Sequence, residues 1–508
     1  MYAILELTGI VTPQKLKAAG VWDVLRSRHA REMDLYQLVV NAGVRNDDDA
    51  VNLLFPKGQD ASAYPELKTK LQELLLSQLL TIDLNTPGNN NRQRAYFECY
   101  KKWGQIKLLM GRNAWANTTG MAEETLKKAR KFEFTDIVVD LARTLRLYFG
   151  SIAGVLKKYE EYSQLAAVWE DAFHFENLAE ALYTDLVVRF VNNKAPQQDV
   201  HNHAQACFEQ LRPALERHQT YRLHLSGRLI ENLIYTSIND YRKTIEVCEK
   251  AVNFFEAKDY PTKIPLQIFL YQEMVCYVQL KDFDRGRLAA DKGLSLLNEG
   301  SFNWFKYQEL LIFLSLHTRQ YQESYKIFKQ TTGHRRFGAL PRAIGETWRI
   351  MEAYLFYLVE LGKIIPAEDD TVFSKFRMAR FINEMPLFSR DKRGMNIPIL
   401  IFQILSLIYN KRYDAAIDRM EAIEKYCSRY LRRDDTFRSN CFIKMLLVIP
   451  AQGFHKSAVL RHAEKYHKML LSMPIDMANQ SHDVEIIPYE DLWEMALESL
   501  QNKTHKKK

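Results

Sequence analysis

At 508 residues, with 47% hydrophobic and 26% charged residues, the chain has the composition of an ordinary folded protein and exceeds what one small core can organise. Its formal charge of +8 is too small to define a polycation. The six cysteines contain no Cys-x-x-Cys pair, which argues against a disulfide framework or a zinc site and predicts buried reduced thiols.

The opening Met1-Tyr-Ala-Ile-Leu-Glu6 has no basic leader, and its apolar run breaks at Glu6, so no signal peptide is expected. Thr12-Pro13 reads as an N-cap followed by a first-turn proline. Helices are expected at 22–42, 47–55 and 65–82. In the last of these, Leu67, Leu71, Leu74, Leu75, Leu79 and Leu80 recur at steps of three and four, which gives one apolar face. These elements read as an N-terminal helical capping bundle over 1–84. A helix-turn-helix that reads DNA is the alternative, opposed by Asp47, Asp48 and Asp49, which suit a helix start but repel phosphate.

Asn85 to Asn91 combines Pro, Gly and four Asn and marks a solvated loop. An irregular helical-pair region follows over 92–198, with helices at 92–110, 120–132, 135–150, 152–170 and 175–193. Ala122 and Ala129 share a face of the second of these. Strand-type alternation is absent throughout, so the fold class is all-α.

The most regular stretch lies at 199–333. Three short hinges, Asn239-Asp240-Tyr241, Lys281-Asp282-Phe283 and Arg319-Gln320-Tyr321, each separate two amphipathic runs, and their aromatics stand 42 and 38 residues apart. A fourth aromatic, Tyr413, follows 92 residues later, which leaves room for one more pair with helices at 343–361 and 370–383. Three residues after the aromatics come Thr244, Gly286, Ser324 and Ala416; ten after come Ala251, Gly293, Thr331 and Ile423. Positions seven apart lie on one helical face, and small residues there let a neighbouring helix approach closely. Six residues before the aromatics stand Tyr235, Tyr277, Ser315 and Leu407.

This pattern resembles the tetratricopeptide-repeat (TPR) family, clearest at 225–333, although the spacing is longer than the family's usual 34 residues and its Trp-Leu-Gly opening is not visible. The resemblance implies a right-handed α-solenoid of antiparallel TPR-like helix pairs that presents a concave surface to a peptide or partner protein. Basic TPR-like repeats with an inserted loop are expected over 334–434. A C-terminal pair at 435–449 and 455–473, stopped by Pro450 and Pro474, and a capping helix at 489–501 complete 435–502; 503–508 is a basic tail.

No phosphate-binding loop, dinucleotide fingerprint, nucleophile elbow or zincin motif occurs, so no enzyme and no cofactor are expected. The histidine pairs His201/His203 and His462/His467 are poorly spaced for chelation, and no metal site is expected either. The acid pairs Asp369-Asp370 and Asp434-Asp435 fall where helices begin and read as dipole caps.

Charge concentrates in one place. From Arg319 to Lys444 there are 23 Lys and Arg against 15 Asp and Glu, and arginine outnumbers lysine. Candidate partner-binding residues are Arg335, Arg336 and Arg342; Lys375, Arg377 and Arg380; Arg390, Lys392 and Arg393; and Arg429, Arg432 and Arg433, with Arg438 at the end of the same run. Guanidinium groups suit planar recognition of carboxylate or phosphate. The expected partner is a protein or peptide carrying acidic groups. A nucleic-acid-associated regulator using the N-terminal bundle or this basic window is the alternative. No membrane span is expected, and the chain reads as a cytoplasmic, non-catalytic scaffold.

Overall fold

The computed structural model describes residues 1–55, 61–85, 90–192, 196–368, 370–373, 376, 381, 396–430, 437–473 and 485–500; at 343, 396, 422 and 425–430 it describes the backbone alone. Among the described residues the secondary structure is helical, with no strand. None of those helices is long and apolar enough to cross a membrane. The chain divides into two compact units, residues 1–174 with 259–261, and residues 175–258 with 262–508.

The first unit begins with α1 (Tyr2–Ile10), α2 (Pro13–Ala18), α3 (Trp22–Arg28), α4 (Ala30–Asn41), α5 (Asp47–Leu54) and α6 (Tyr64–Gln78). Thr12 caps α2 through its side chain, with proline in the first turn, as its sequence implies. Helix α1 was not anticipated, because a short apolar run with one glutamate carries no periodicity; it is held by Ile4 and Leu7, buried in a core shared with Tyr36, Leu71 and Leu75. The expected 22–42 helix is interrupted at His29, whose backbone leaves the helical region. Of the leucine stripe, Leu67, Leu71 and Leu75 are buried on α6, whereas Leu80, beyond the end of that helix, is exposed. Asp47 is spent internally: its carboxylate accepts from Tyr64 (2.7 Å) and Lys68 (3.0 Å). Those bonds, Lys68 first, hold its pKa down at about 2.

Three longer helices follow, α7 (Asn91–Gly111), α8 (Trp115–Phe132) and α9 (Thr135–Leu147), each packed on the next. Asn90 and Gln93 form a reciprocal capping box that starts α7. A π turn at Tyr148–Ile152 precedes α10 (Leu156–Leu186), and another spans Val187–Val191. The separate helices expected at 152–170 and 175–193 are therefore largely one continuous helix. No Pro or Gly lies between Leu156 and Leu186 to interrupt it.

In the second unit come α11 (Gln197–Arg217), α12 (Tyr221–Thr236), α13 (Tyr241–Glu256), α14 (Lys263–Leu280), α15 (Phe283–Ser295), α16 (Phe302–His317), α17 (Tyr321–Thr332) and α18 (Arg342–Glu360). Then follow α19 (Asn396–Tyr409), α20 (Tyr413–Tyr430), α21 (Phe437–Ala451), α22 (Lys456–Leu471) and α23 (Tyr489–Ser499). Helices adjacent in sequence pack on one another from α11 through α22, and α14 also meets α16. Pro450 sits inside the last turn of α21 instead of stopping it. Residues 370–373 are not helical, so the second helix expected at 370–383 does not start there; most of that expected helix, and Pro474, lie outside the described residues.

The hinges share one backbone device. Asn239, Lys281, Arg319 and Lys411 all adopt positive φ, between 53° and 60°. The next N–H, from Asp240, Asp282, Gln320 or Arg412, then bonds the carbonyl of Tyr235, Tyr277, Ser315 or Leu407 at 2.8–3.0 Å. This left-handed stop with its long return bond closes the first helix, and the aromatic opens the second. The position six residues before each aromatic thus matters through its carbonyl, which explains why its side chain varies. The same stop occurs in the first unit, where Asn113 has positive φ and Ala114 N–H reaches Leu109 O before Trp115 opens α8.

The small-residue face is buried: Thr244, Ser324, Ala416, Ala251 and Ile423 are fully covered. Its function is to seat the first helix of the following pair as well as its own partner. A Cβ on Gly286 would come within 2.6 Å of Leu314 on α16, and one on Gly293 within 2.1 Å of Tyr307. Glycine is required there by close approach rather than by φ.

The last helix does more than cover a terminal face. Helix α23 packs on α19, α21 and α22, burying Leu492, Trp493 and Met495. Its acids reach back along the chain: Asp491 and Glu494 hold Arg319, and Glu498 holds Lys363 at 3.0 Å.

Candidate functional site

Of the twelve candidate cations, Arg335, Arg336 and Arg342 have described side chains. Arg429 lies on α20 with only its backbone described; Lys375, Arg377, Arg380, Arg390, Lys392, Arg393, Arg432 and Arg433 lie outside the described residues. Arg438, the end of the same run, is not part of any basic surface. It is 2% exposed, and its guanidinium grips both oxygens of Glu485 (2.7 and 3.1 Å), Glu490 (2.8 Å) and the Met473 carbonyl (2.7 Å). Burial opposes ionisation of Glu490, but Arg438 holds its carboxyl below the ordinary value. Arg319, the first residue of the basic window, is likewise committed, to Asp491 and Glu494.

Arg335 and Arg336 stand in the loop between α17 and α18, around a single 3-10 turn at Phe337–Ala339. Both are exposed, and their guanidinium groups carry no ion pair among the described residues. Arg342 opens α18 and bonds Glu346 at 3.0 Å. Lys329, one turn before the end of α17, bonds Asp370 at 2.8 Å. Asp370 also accepts from Val372 N–H (3.0 Å), so it shapes a local turn.

Beside this loop lies a cavity of about 280 Å³. Phe328 and Thr332 of α17, Phe337 of the loop, and Gly345, Trp348 and Arg349 of α18 line it, with Glu352 and Val372 completing the wall. The rings interlock, Phe337 standing edge-on to Trp348 at 5.4 Å and Phe328 at 6.0 Å from it. Gly345 leaves the wall open, since a Cβ there meets nothing within 4 Å. Trp348 is 1% exposed, and its indole N–H is buried without an acceptor among the described residues. Sequence reasoning passed over Trp348, because a tryptophan on an amphipathic helix reads as core. The only available signal was its nearness to the loop arginines.

Two larger depressions in the second unit are less site-like. One, of about 640 Å³, is lined by residues 177–189 alone, so a single helical stretch supplies its wall. The other, of about 370 Å³, is lined by Arg242, Glu246, Glu249, Asp282 and Arg285, mixed charges that partly satisfy one another through the Asp282–Arg285 pair.

Among the described residues no three His, Cys, Asp or Glu are grouped to hold a metal ion. His201, His203 and His462 instead bond backbone carbonyls through Nδ1. Cys99, Cys248, Cys276 and Cys441 are buried free thiols, and Cys207 is half-buried. Burial pushes the Cys99 and Cys276 thiols up to about 12, which keeps them protonated and unreactive. No family model matches the chain, and no curated protein or solved structure matches it either.

Proposed function

We propose that this chain is a non-catalytic interaction scaffold: its TPR-like helix pairs stack as a right-handed α-solenoid and hold a peptide or partner protein. The single observation that carries this reading is the cavity at the α17–α18 junction. There Phe328, Phe337 and Trp348 line a cavity, and Arg335 and Arg336, which precede Phe337 in the chain, are exposed. Concave apolar sites with a few convergent polar groups are the usual form of a recognition site. The repeated hinge and the buried small-residue face support the stacking, since each pair seats the next. The protein is taken to act in the cytoplasm and without a cofactor.

Affinity capture on the tagged full chain, with nuclease treatment, tests the reading. The scaffold predicts a protein retained irrespective of nuclease. Retention that nuclease abolishes, together with low-salt binding to single- or double-stranded nucleic-acid probes that weakens steeply with salt, replaces it with the nucleic-acid alternative. A compact small-angle scattering profile for residues 197–500 within the intact chain removes the solenoid.

A further inference from the structure

We propose that the edge of the first unit where the α7–α8 hinge meets the α9–α10 turn docks on an anionic lipid bilayer. This goes beyond the scaffold reading and does not depend on it. Two contacts bring the edge together. Trp115, which opens α8, stacks on Tyr148 at 5.5 Å. Thr144 of α9 donates to the Met110 sulfur, near the end of α7, at 3.7 Å.

The edge is apolar where it is most exposed. Every residue from Gly150 to Lys157 is exposed, and Ser151 is the one polar side chain between Phe149 and Lys157. Ile152, Val155 and Leu156 are exposed on this turn, with Leu147 just before it; Leu108, within a turn of the end of α7, is 72% exposed. The turn is also held in place. Ala153 N–H bonds the Tyr148 carbonyl (2.9 Å), Val155 N–H bonds that of Phe149 (2.8 Å), and the buried Phe149 ring stacks on Tyr162. Little further ordering is therefore needed when this tip docks.

Charge says what covers it. Residues 99–122 and 141–159 each contain four Lys or Arg and no Asp or Glu. Of the acids that border them, Glu98, Asp140 and Glu123 bond Lys128, Lys107 and Lys158, each at 2.6 Å, while Glu160 is exposed. Arg112, Arg146 and Lys157 carry no ion pair among the described residues. A second copy of the chain is a poor occupant, because a two-fold contact sets these cations against themselves. Nucleic acid meets the cations but not an aliphatic tip. A protein interface commonly makes about one hydrogen bond per 100–200 Å², and this tip has one hydroxyl to offer. A bilayer supplies both layers, anionic headgroups for the cations and hydrocarbon beneath them for the tip. Trp and Tyr favour the boundary between those layers, where the half-buried Trp115 and Tyr148 flank the tip in this structure. Among the described residues no helix is long and apolar enough to span, so the contact is peripheral.

Co-flotation of the full chain with phosphatidylcholine vesicles, with and without phosphatidylserine, tests the proposal. Binding is expected only where phosphatidylserine is present, and is expected to weaken as salt rises. Ile152→Ser with Leu156→Ser removes the apolar tip and is expected to lower partitioning at least about tenfold. Arg146→Glu with Lys157→Glu is expected to lower it by a similar factor, at least about tenfold. Arg335→Glu with Arg336→Glu makes the same charge change in the second unit and is expected to leave binding within about threefold of the wild type. Unchanged circular dichroism and melting confirm that the variants are folded. No flotation at low salt overturns the proposal, as do equal binding to both kinds of vesicle, wild-type binding by either edge variant, or an equal loss in the Arg335/Arg336 variant. A protein captured by the wild type and lost by the Ile152/Leu156 variant, without flotation, replaces the bilayer with a protein contact.

Discussion

Arg319 and Arg438 belong to the same basic stretch of sequence as Arg335 and Arg336, yet the two pairs have opposite fates. The first pair is bound by carboxylates of the C-terminal segment, Arg438 by Glu485 and Glu490, Arg319 by Asp491 and Glu494. The second pair stays exposed on a loop that has no acid near it in sequence. Charge density therefore says where cations are abundant and nothing of which are free. The clasp also fixes backbone. The Glu485 carbonyl accepts from His317 Nε2 (2.7 Å), and its carboxylate accepts from Tyr489 N–H (2.9 Å) to start α23. One glutamate thus joins α16, α21 and α23.

If this contrast between clasp and loop is sound, mutations should separate the two. The largest effect is expected from Arg438→Met, which takes the guanidinium away from the buried Glu485 carboxylate; the cost is about 3–5 kcal/mol, read from denaturant unfolding. Adding Glu485→Leu should recover part of that loss, because the fully buried carboxylate is then gone and only the less buried Glu490 is left without its guanidinium; a double variant as unstable as the single one would break the clasp.

Next comes pH. Burial lowers the His317 pKa from 6.5 to about 4. The unfolded chain binds a proton that the folded one refuses, so stability is full above about pH 6.5 and declines as pH falls toward about 4. Between pH 7.5 and 5 this group alone accounts for about 2 kcal/mol. His317→Gln should flatten the profile by that much. His224, also lowered to about 4, keeps a residual slope, and Glu273, raised by burial to about 7, opposes it. An unchanged profile in the variant would show that His317 is not buried in solution.

Smaller again is the hinge cap. Asp282 accepts from Arg285 N–H at 3.1 Å, and Asp282→Ala should cost about 1 kcal/mol in the same assay. The smallest effect is expected in the loop: Arg335→Ala and Arg336→Ala should each change stability by less than about 0.5 kcal/mol. A larger loss would mean that those side chains serve the fold and are not available to a partner.

What could be read from sequence was local. The hinge at Lys281-Asp282-Phe283 is a stop, a cap and a start within three residues, and Gly286 and Gly293 follow it on the same helix. Ala122 and Ala129 were legible for the same reason, and both are fully buried. The α8 hinge at Asn113-Ala114-Trp115 carries the same spacing, with Thr118 and Thr125 buried at the two small-residue positions. The helix expected at 120–132 begins five residues after α8 does, which hides this hinge in the sequence. Two expected helices merge into α10 because no proline or glycine lies between Leu156 and Leu186 to end the first. Of the residues on and around the α17–α18 loop, Arg335, Arg336 and Arg342 stand out in the sequence by their charge, whereas Trp348 and the cavity it lines do not.

The sequence by itself determined the all-helical class, the hinges and the small-residue faces, because capping, backbone conformation and helical periodicity act over a few residues. Only the tertiary structure decided which arginines are spent and where a donor is left unmet. Arg438 meets Glu485 across 47 positions, and Arg319 meets Asp491 across 172. The cavity likewise depends on α17, the 3-10 turn and α18 converging around Trp348. Such pairings depend on three-dimensional proximity, which neither charge counts nor periodicity encodes.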